Sequence, residues 1–156
     1  MCDTEQNTPG TGVNVTLGAM PKMDDRHMKN QWTGHSMATR RMLLTILERA
    51  DEGCENFSMA DRILFTACEF WVAVEGGTLK AFLGTNALEQ LRCCGFAYRA
   101  IGAVEVAREV EAALKALSLA DNGGRRVQCI EGLQSRLRQS AEPTSDLIDR
   151  FSQLVH

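Results

Sequence analysis

The sequence predicts an all-α protein, and three observations predict it. Ala, Leu, Glu and Arg are plentiful while aromatic residues make up 6% of the chain, a palette that forms helices readily and strands poorly. From Met37 onward apolar residues recur three and four positions apart in one segment after another, and no segment alternates apolar and polar residues with period two. Glycines and helix-capping residues punctuate these segments at short intervals, so the connections are brief and a compact bundle of about six or seven helices follows. The 156 residues fit one domain, whose folding buries roughly two-thirds of the surface that the unfolded chain exposes.

Residues 1–35 read as a flexible N-terminal arm. Pro9, Pro21, Gly10, Gly12, Gly18 and Gly34 stand there among many Thr and Asn with no sustained apolar period. Residues 36–156 read as a single helical domain. Its first helix opens at Ser36, carries Leu43, Leu44, Ile46 and Leu47, and stops at Gly53. Ser58 opens the second, with Asp61 three residues on as a short capping box; Ile63, Ala67, Phe70, Trp71 and Val74 follow at helical spacing until Gly76 and Gly77. Thr78 to Leu83 reads as a short helical turn closed by Gly84. Thr85 or Asn86 caps the next helix, which bears Leu88, Leu91, Cys94, Tyr98 and Ile101, with Gly95 marking a close helix contact. After Gly102 the segment Ala103 to Leu119 is strongly amphipathic, with Val106, Val110, Ala113, Leu114 and Leu117 in one stripe. Asp121 to Gly124 break the pattern, and Val127, Ile130, Leu133 and Leu137 mark a further helix. Pro143 and Thr144 begin the last, whose Leu147, Ile148, Phe151, Leu154 and Val155 share a face.

Composition then excludes classes of function. The net charge of -3, from 17 basic and 20 acidic residues, gives no general attraction to nucleic acid. No apolar run approaches the roughly 18 residues of a membrane span, and the acidic start lacks a signal core, so a soluble cytoplasmic protein is expected. Six cysteines (Cys2, Cys54, Cys68, Cys93, Cys94 and Cys129) show no Cys-x-x-Cys pair and read as reduced thiols, mostly small core residues. His27, His35 and His156 lie in the arm or at the last residue, poor positions for a general base of fixed geometry. The phosphate loop, nucleophile elbow, dinucleotide fingerprint and zinc-protease spacing are absent from the sequence. No catalytic residue, cofactor or metal is therefore expected.

One acidic run stands out. Between Glu48 and Glu75 lie Glu48, Asp51, Glu52, Glu55, Asp61, Glu69 and Glu75 against Arg49 and Arg62, so this segment is negative by five charges and the rest of the chain is slightly basic. Such a field steers a basic partner and rejects like-charged ones, making these seven residues the candidate partner-binding set. Phe70 and Trp71 fall within the same run, and their spacing assigns at least one of them to the core.

From Asp61 to Ala113 the order of features (Glu69-Phe70-Trp71, the pair Gly76-Gly77, Phe82, Asn86, then Ala100-Ile101-Gly102-Ala103 before a long Ala- and Glu-rich helix) resembles a bacterial family of small helical proteins best known through a DNA-mimic member. The resemblance covers about a third of the chain. It implies an all-α fold, no cofactor, a homodimer as a permitted assembly, and sequestration of a DNA-binding regulator by a phosphate-like array of carboxylates. That mimicry depends on strong acidity, which a net charge of -3 supplies poorly.

These observations together predict a non-enzymatic interaction module that regulates or neutralises a protein partner, either a basic DNA-binding regulator or a toxin. The rival expectation is a small enzyme or ligand-binding bundle using Cys93, Cys94, Tyr98 and Arg99, where Arg92 and Arg99 would lower a thiol pKa.

Overall fold

The computed structural model describes residues 32, 34–52 and 56–155. Among these, seven α-helices and one 3-10 turn follow one another: α1 Met37–Asp51, α2 Met59–Glu75, α3 Leu79–Leu83, the turn Gly84–Asn86, α4 Ala87–Ala100, α5 Val104–Leu119, α6 Gly123–Gln139 and α7 Thr144–Val155. The described residues contain no strand. The all-α bundle expected from the sequence is what forms.

Helix starts follow from side-chain caps. Ser36, extended at φ -60° and ψ 155°, accepts from Thr39 N and starts α1. At α2 the capping box is complete: Asp61 N donates to Ser58 Oγ, and Ser58 N donates to Asp61 Oδ2, each at 3.1 Å. Asn122 starts α6 by accepting from Arg125 N, so Gly123 and Gly124, expected as a break, are instead the first helical residues. Asn86 precedes α4 but makes no cap hydrogen bond, because the 3-10 turn runs straight into the helix. Two helices end in Schellman turns that require glycine. Thr78 N reaches Ala73 O past Gly77 (φ 70°), and Ala103 N reaches Tyr98 O past Gly102 (φ 84°).

Helix α2 is the centre, touching α1, α3, α4, α6 and α7, while α4 and α5 form a closely packed antiparallel pair. Phe70 and Trp71 are both buried on α2. Phe70 meets Tyr98 and Phe82 edge-on at 5.5 and 6.1 Å between ring centroids. The Tyr98 hydroxyl donates to Ala67 O at 2.6 Å, which joins α4 to α2 inside the core. On α5, Val106, Val110, Ala113 and Leu117 are buried as their stripe requires, and on α6 so are Ile130, Leu133 and Leu137. Gly95 is buried against α5, yet a Cβ there would meet Glu111 Cγ at 3.5 Å and Val110 Cγ1 at 3.7 Å, an ordinary contact.

Helix α7 departs from its pattern. Its fully buried residues are Thr144, Ile148 and Ser152, whereas Leu147 and Phe151 are half-buried and Leu154 is 84% exposed. Polar contacts explain the rotation: Thr39 and Ser152 hydroxyls pair at 2.8 Å, and Asp149 Oδ2 accepts from Ser36 N at 3.0 Å. The domain also begins before Ser36, because Trp32 and His35, assigned by the sequence to the arm, are buried in the bundle. Of the rest of that arm, residues 1–31 and 33 lie outside the described residues.

Candidate functional site

The acidic run separates into residues with different tasks. Glu48, Asp51 and Glu52 are exposed together on the last turn of α1 and its cap. Glu55 lies outside the described residues. Asp61 is only 4% exposed: besides its capping box it faces Arg49, with Nη1 at 3.5 Å from Oδ2. Arg49 also donates to Asn56 O at 2.7 Å and stacks over Phe57, so the pair clamps the connection between α1 and α2. Glu69 points inward, and burial pushes its carboxyl above the usual range, partly offset by the indole of Trp32 facing it. Glu75 is exposed and accepts from Trp71 Nε1 at 3.1 Å. It sits fourteen positions after Asp61 on one helix, about 21 Å along the axis. The six described residues therefore separate: three gather at the α1 end, Glu75 stands at the far end of α2, Asp61 serves the fold, and Glu69 is turned inward.

The three exposed carboxylates occupy the negative end of the α1 dipole, where an anion costs about 0.3–1 kcal/mol instead of stabilising. In that last turn the basic residue is Arg49, already engaged with Asp61. These charges do nothing for the helix that carries them. An open groove of about 360 Å³, lined by none of these three, follows one flank of α1 from Ala38 through Met42 and Thr45 to Arg49 and Asp61.

The thiol constellation takes a different shape from the rival expectation. Cys93 is buried, and its thiol is raised by that burial and by Glu89, with Arg92 pulling the other way. Cys94 is fully enclosed and its pKa is driven far up by burial. Tyr98 spends its hydroxyl on Ala67 O, and Arg99 is exposed in a bidentate pair with Glu111 across the α4–α5 hairpin. Both cysteines are therefore protonated at neutral pH, the opposite of what a nucleophile needs. Among the described residues no group of three His, Cys, Asp or Glu side chains is placed to hold a metal, and no helix is long and apolar enough to cross a membrane.

A polar seam that the sequence reading missed lies where the chain enters the bundle. His35 Nδ1 stands 3.4 Å from Asp149 Oδ1, His35 O accepts from Arg40 Nε at 3.0 Å, and Cys68, fully buried on α2, is raised by burial and by the charges of Glu69 and Asp149. The sequence signal was faint: Trp32 and His35 stand in a segment without apolar period, and the bond that fixes its end to α7 joins Ser36 to Asp149 across 113 positions. Compared with family models, with curated proteins and with solved structures, the chain matches none.

Proposed function

We propose that this chain is a non-enzymatic protein-binding module that regulates or neutralises a basic partner protein, a DNA-binding regulator or a toxin, through the acidic end of α1. The observation that carries the reading is the exposure of Glu48, Asp51 and Glu52 at the pole of a helix where their charge opposes the dipole. Charges that cost the fold something, and that pair with no side chain among the described residues, are placed for a partner. Their number favours a basic protein patch over the full phosphate array of the DNA-mimic reading, since a duplex presents a charge about every 1.7 Å. The reading includes a cytoplasmic location, no cofactor and no direct nucleic-acid contact, and it permits a homodimer. The buried, protonated state of Cys93 and Cys94 gives the reactive-thiol alternative no support.

The test is the joint variant Glu48→Lys, Asp51→Lys and Glu52→Lys. Removing anions from the negative helix end leaves stability equal or slightly higher, while affinity for the partner captured from the native host falls at least about tenfold at low salt and loses its salt dependence. Equal affinity and equal salt dependence in the triple variant would reject the acidic pole as the contact.

A further inference from the structure

On α7 the apolar residues Leu147, Ile148, Phe151, Leu154 and Val155 form one stripe, while the positions the bundle encloses are Thr144, Ile148 and Ser152. At about 100° per residue, the centre of the stripe stands about 60° from the centre of the enclosed set. The Thr39–Ser152 hydroxyl pair and the bond from Ser36 N to Asp149 Oδ2 hold that rotation, so the helix turns an apolar flank out of the bundle. On this flank Leu154 is 84% exposed, and Leu147 and Phe151, on the preceding turns, are only half-covered. Exposed Val104 stands near its start, because Glu105 N beside it is held by Glu142, two residues before α7. Scattered apolar side chains are ordinary on a surface, whereas a row of them on successive turns marks a contact.

The outer border of this flank carries Asp146 and Arg150, one turn apart on the same side of the helix. Both are exposed, and neither forms an ion pair with the other or with any other described residue. When two identical helices pack antiparallel across a two-fold axis, each border faces the same border of the other copy; in parallel packing it faces the opposite one. A border bearing an acid and a base four positions apart therefore matches itself when antiparallel. Arg150 of each copy then lies across from Asp146 of the other, and Leu154 comes to rest over Pro143 and Leu147.

We infer that α7 is the contact of a symmetric, antiparallel dimer of this chain. The inference gives a structure to the homodimer that the proposed function permits. It uses no residue of the acidic α1 end, so the two proposals succeed or fail separately. One helix of 12 residues per copy makes an interface at the small end of specific ones, below about 1,200 Å², and the dimer dissociates at about 10–100 μM.

Sedimentation velocity of the full chain from about 2 to 200 μM should therefore show a monomer passing to a dimer, with weaker association at high salt. Leu154→Glu places a charge in the contact at a position that the core does not use, and should raise the dissociation constant at least about tenfold with an unchanged far-UV spectrum and Tm. Asp146→Arg and Arg150→Asp should each weaken the dimer by setting like charges opposite one another. An equimolar mixture of those two variants should regain it, since one copy then presents two bases and the other two acids. A monomer at every concentration, a dimer indifferent to Leu154→Glu, a mixture no tighter than its components, or a dimer lost in the triple variant of the acidic α1 end would each overturn the inference.

Discussion

At the scale of single residues, a side chain's environment decides whether its charge or its size matters. Glu69 is raised above the ordinary carboxylate value of 4.5 because burial penalises its ionised form. A folded-state pKa above the unfolded one means that the favourable contribution is complete below the unfolded value and is lost as pH rises through the folded value. At neutral pH ionised Glu69 therefore works against the fold. Glu69→Gln should raise the urea midpoint at pH 7, and the gain should shrink towards zero as the wild-type carboxyl is protonated near pH 4; a variant less stable at pH 7 would refute this account. Gly95 gives a prediction of opposite origin: the sequence reads it as a close helix contact, and it is buried against α5, yet the approach is not so close as to exclude a methyl. The backbone leaves room for a methyl at 3.5 Å from its nearest neighbour, so Gly95→Ala should stabilise by about 0.5–1 kcal/mol through helix propensity, measured by chemical denaturation. The same pair of residues shows where sequence reading ends: a helical glycine is visible, but the distance across to Glu111 is set by tertiary packing.

At the scale of elements, the helices were legible where their own residues supply periodicity and caps, and illegible where a distant residue supplies them. Ser58 and Asp61 cap α2 from within four residues, and that box is written in the sequence. Helix α5 has Ala103 at its N-cap with no side chain to offer, yet its first turn is satisfied by Glu142, whose carboxylate accepts from Glu105 N at 3.2 Å and Val106 N at 2.8 Å. An anion at the positive end of the helix also favours the dipole. Nothing within α5 announces a cap held 36 residues away. Helix α7 is illegible for a related reason: its apolar stripe is plain, but the hydroxyl pair Thr39–Ser152 and the Asp149 contacts turn it off that stripe. Glu142→Ala should destabilise by about 1–2 kcal/mol, the range for losing a helix cap, with amide exchange increasing first in the opening turn of α5. Unchanged exchange at Glu105 and Val106 would show that water satisfies the turn as well as the carboxylate does.

At the scale of the molecule, the question is where the cooperative unit begins. The sequence put the boundary at Ser36 because residues 1–35 carry no sustained apolar period. That criterion detects a helix face and is blind to one large side chain anchored by itself. Trp32 is such a side chain: it is buried to 1% exposure, and His35 follows it into the seam beside Asp149. The acidic candidate set is divided in the fold for a parallel reason, since charge counted along a chain says nothing about which carboxylates a fold turns inward, as it does Asp61. Two truncations locate the boundary. Deleting residues 1–28 removes only sequence without a core-facing period and should leave the Tm within about 2 °C, whereas deleting residues 1–35 also removes Trp32, His35 and the backbone that precedes the α1 cap. For a domain of this size about 1 kcal/mol corresponds to roughly 2–4 °C, so loss of a docked indole should lower the Tm by several degrees while the far-UV spectrum stays helical. If both truncations melt alike, Trp32 contributes nothing to the cooperative unit; if the shorter deletion already lowers the Tm by ten degrees, the unit extends into residues 1–28.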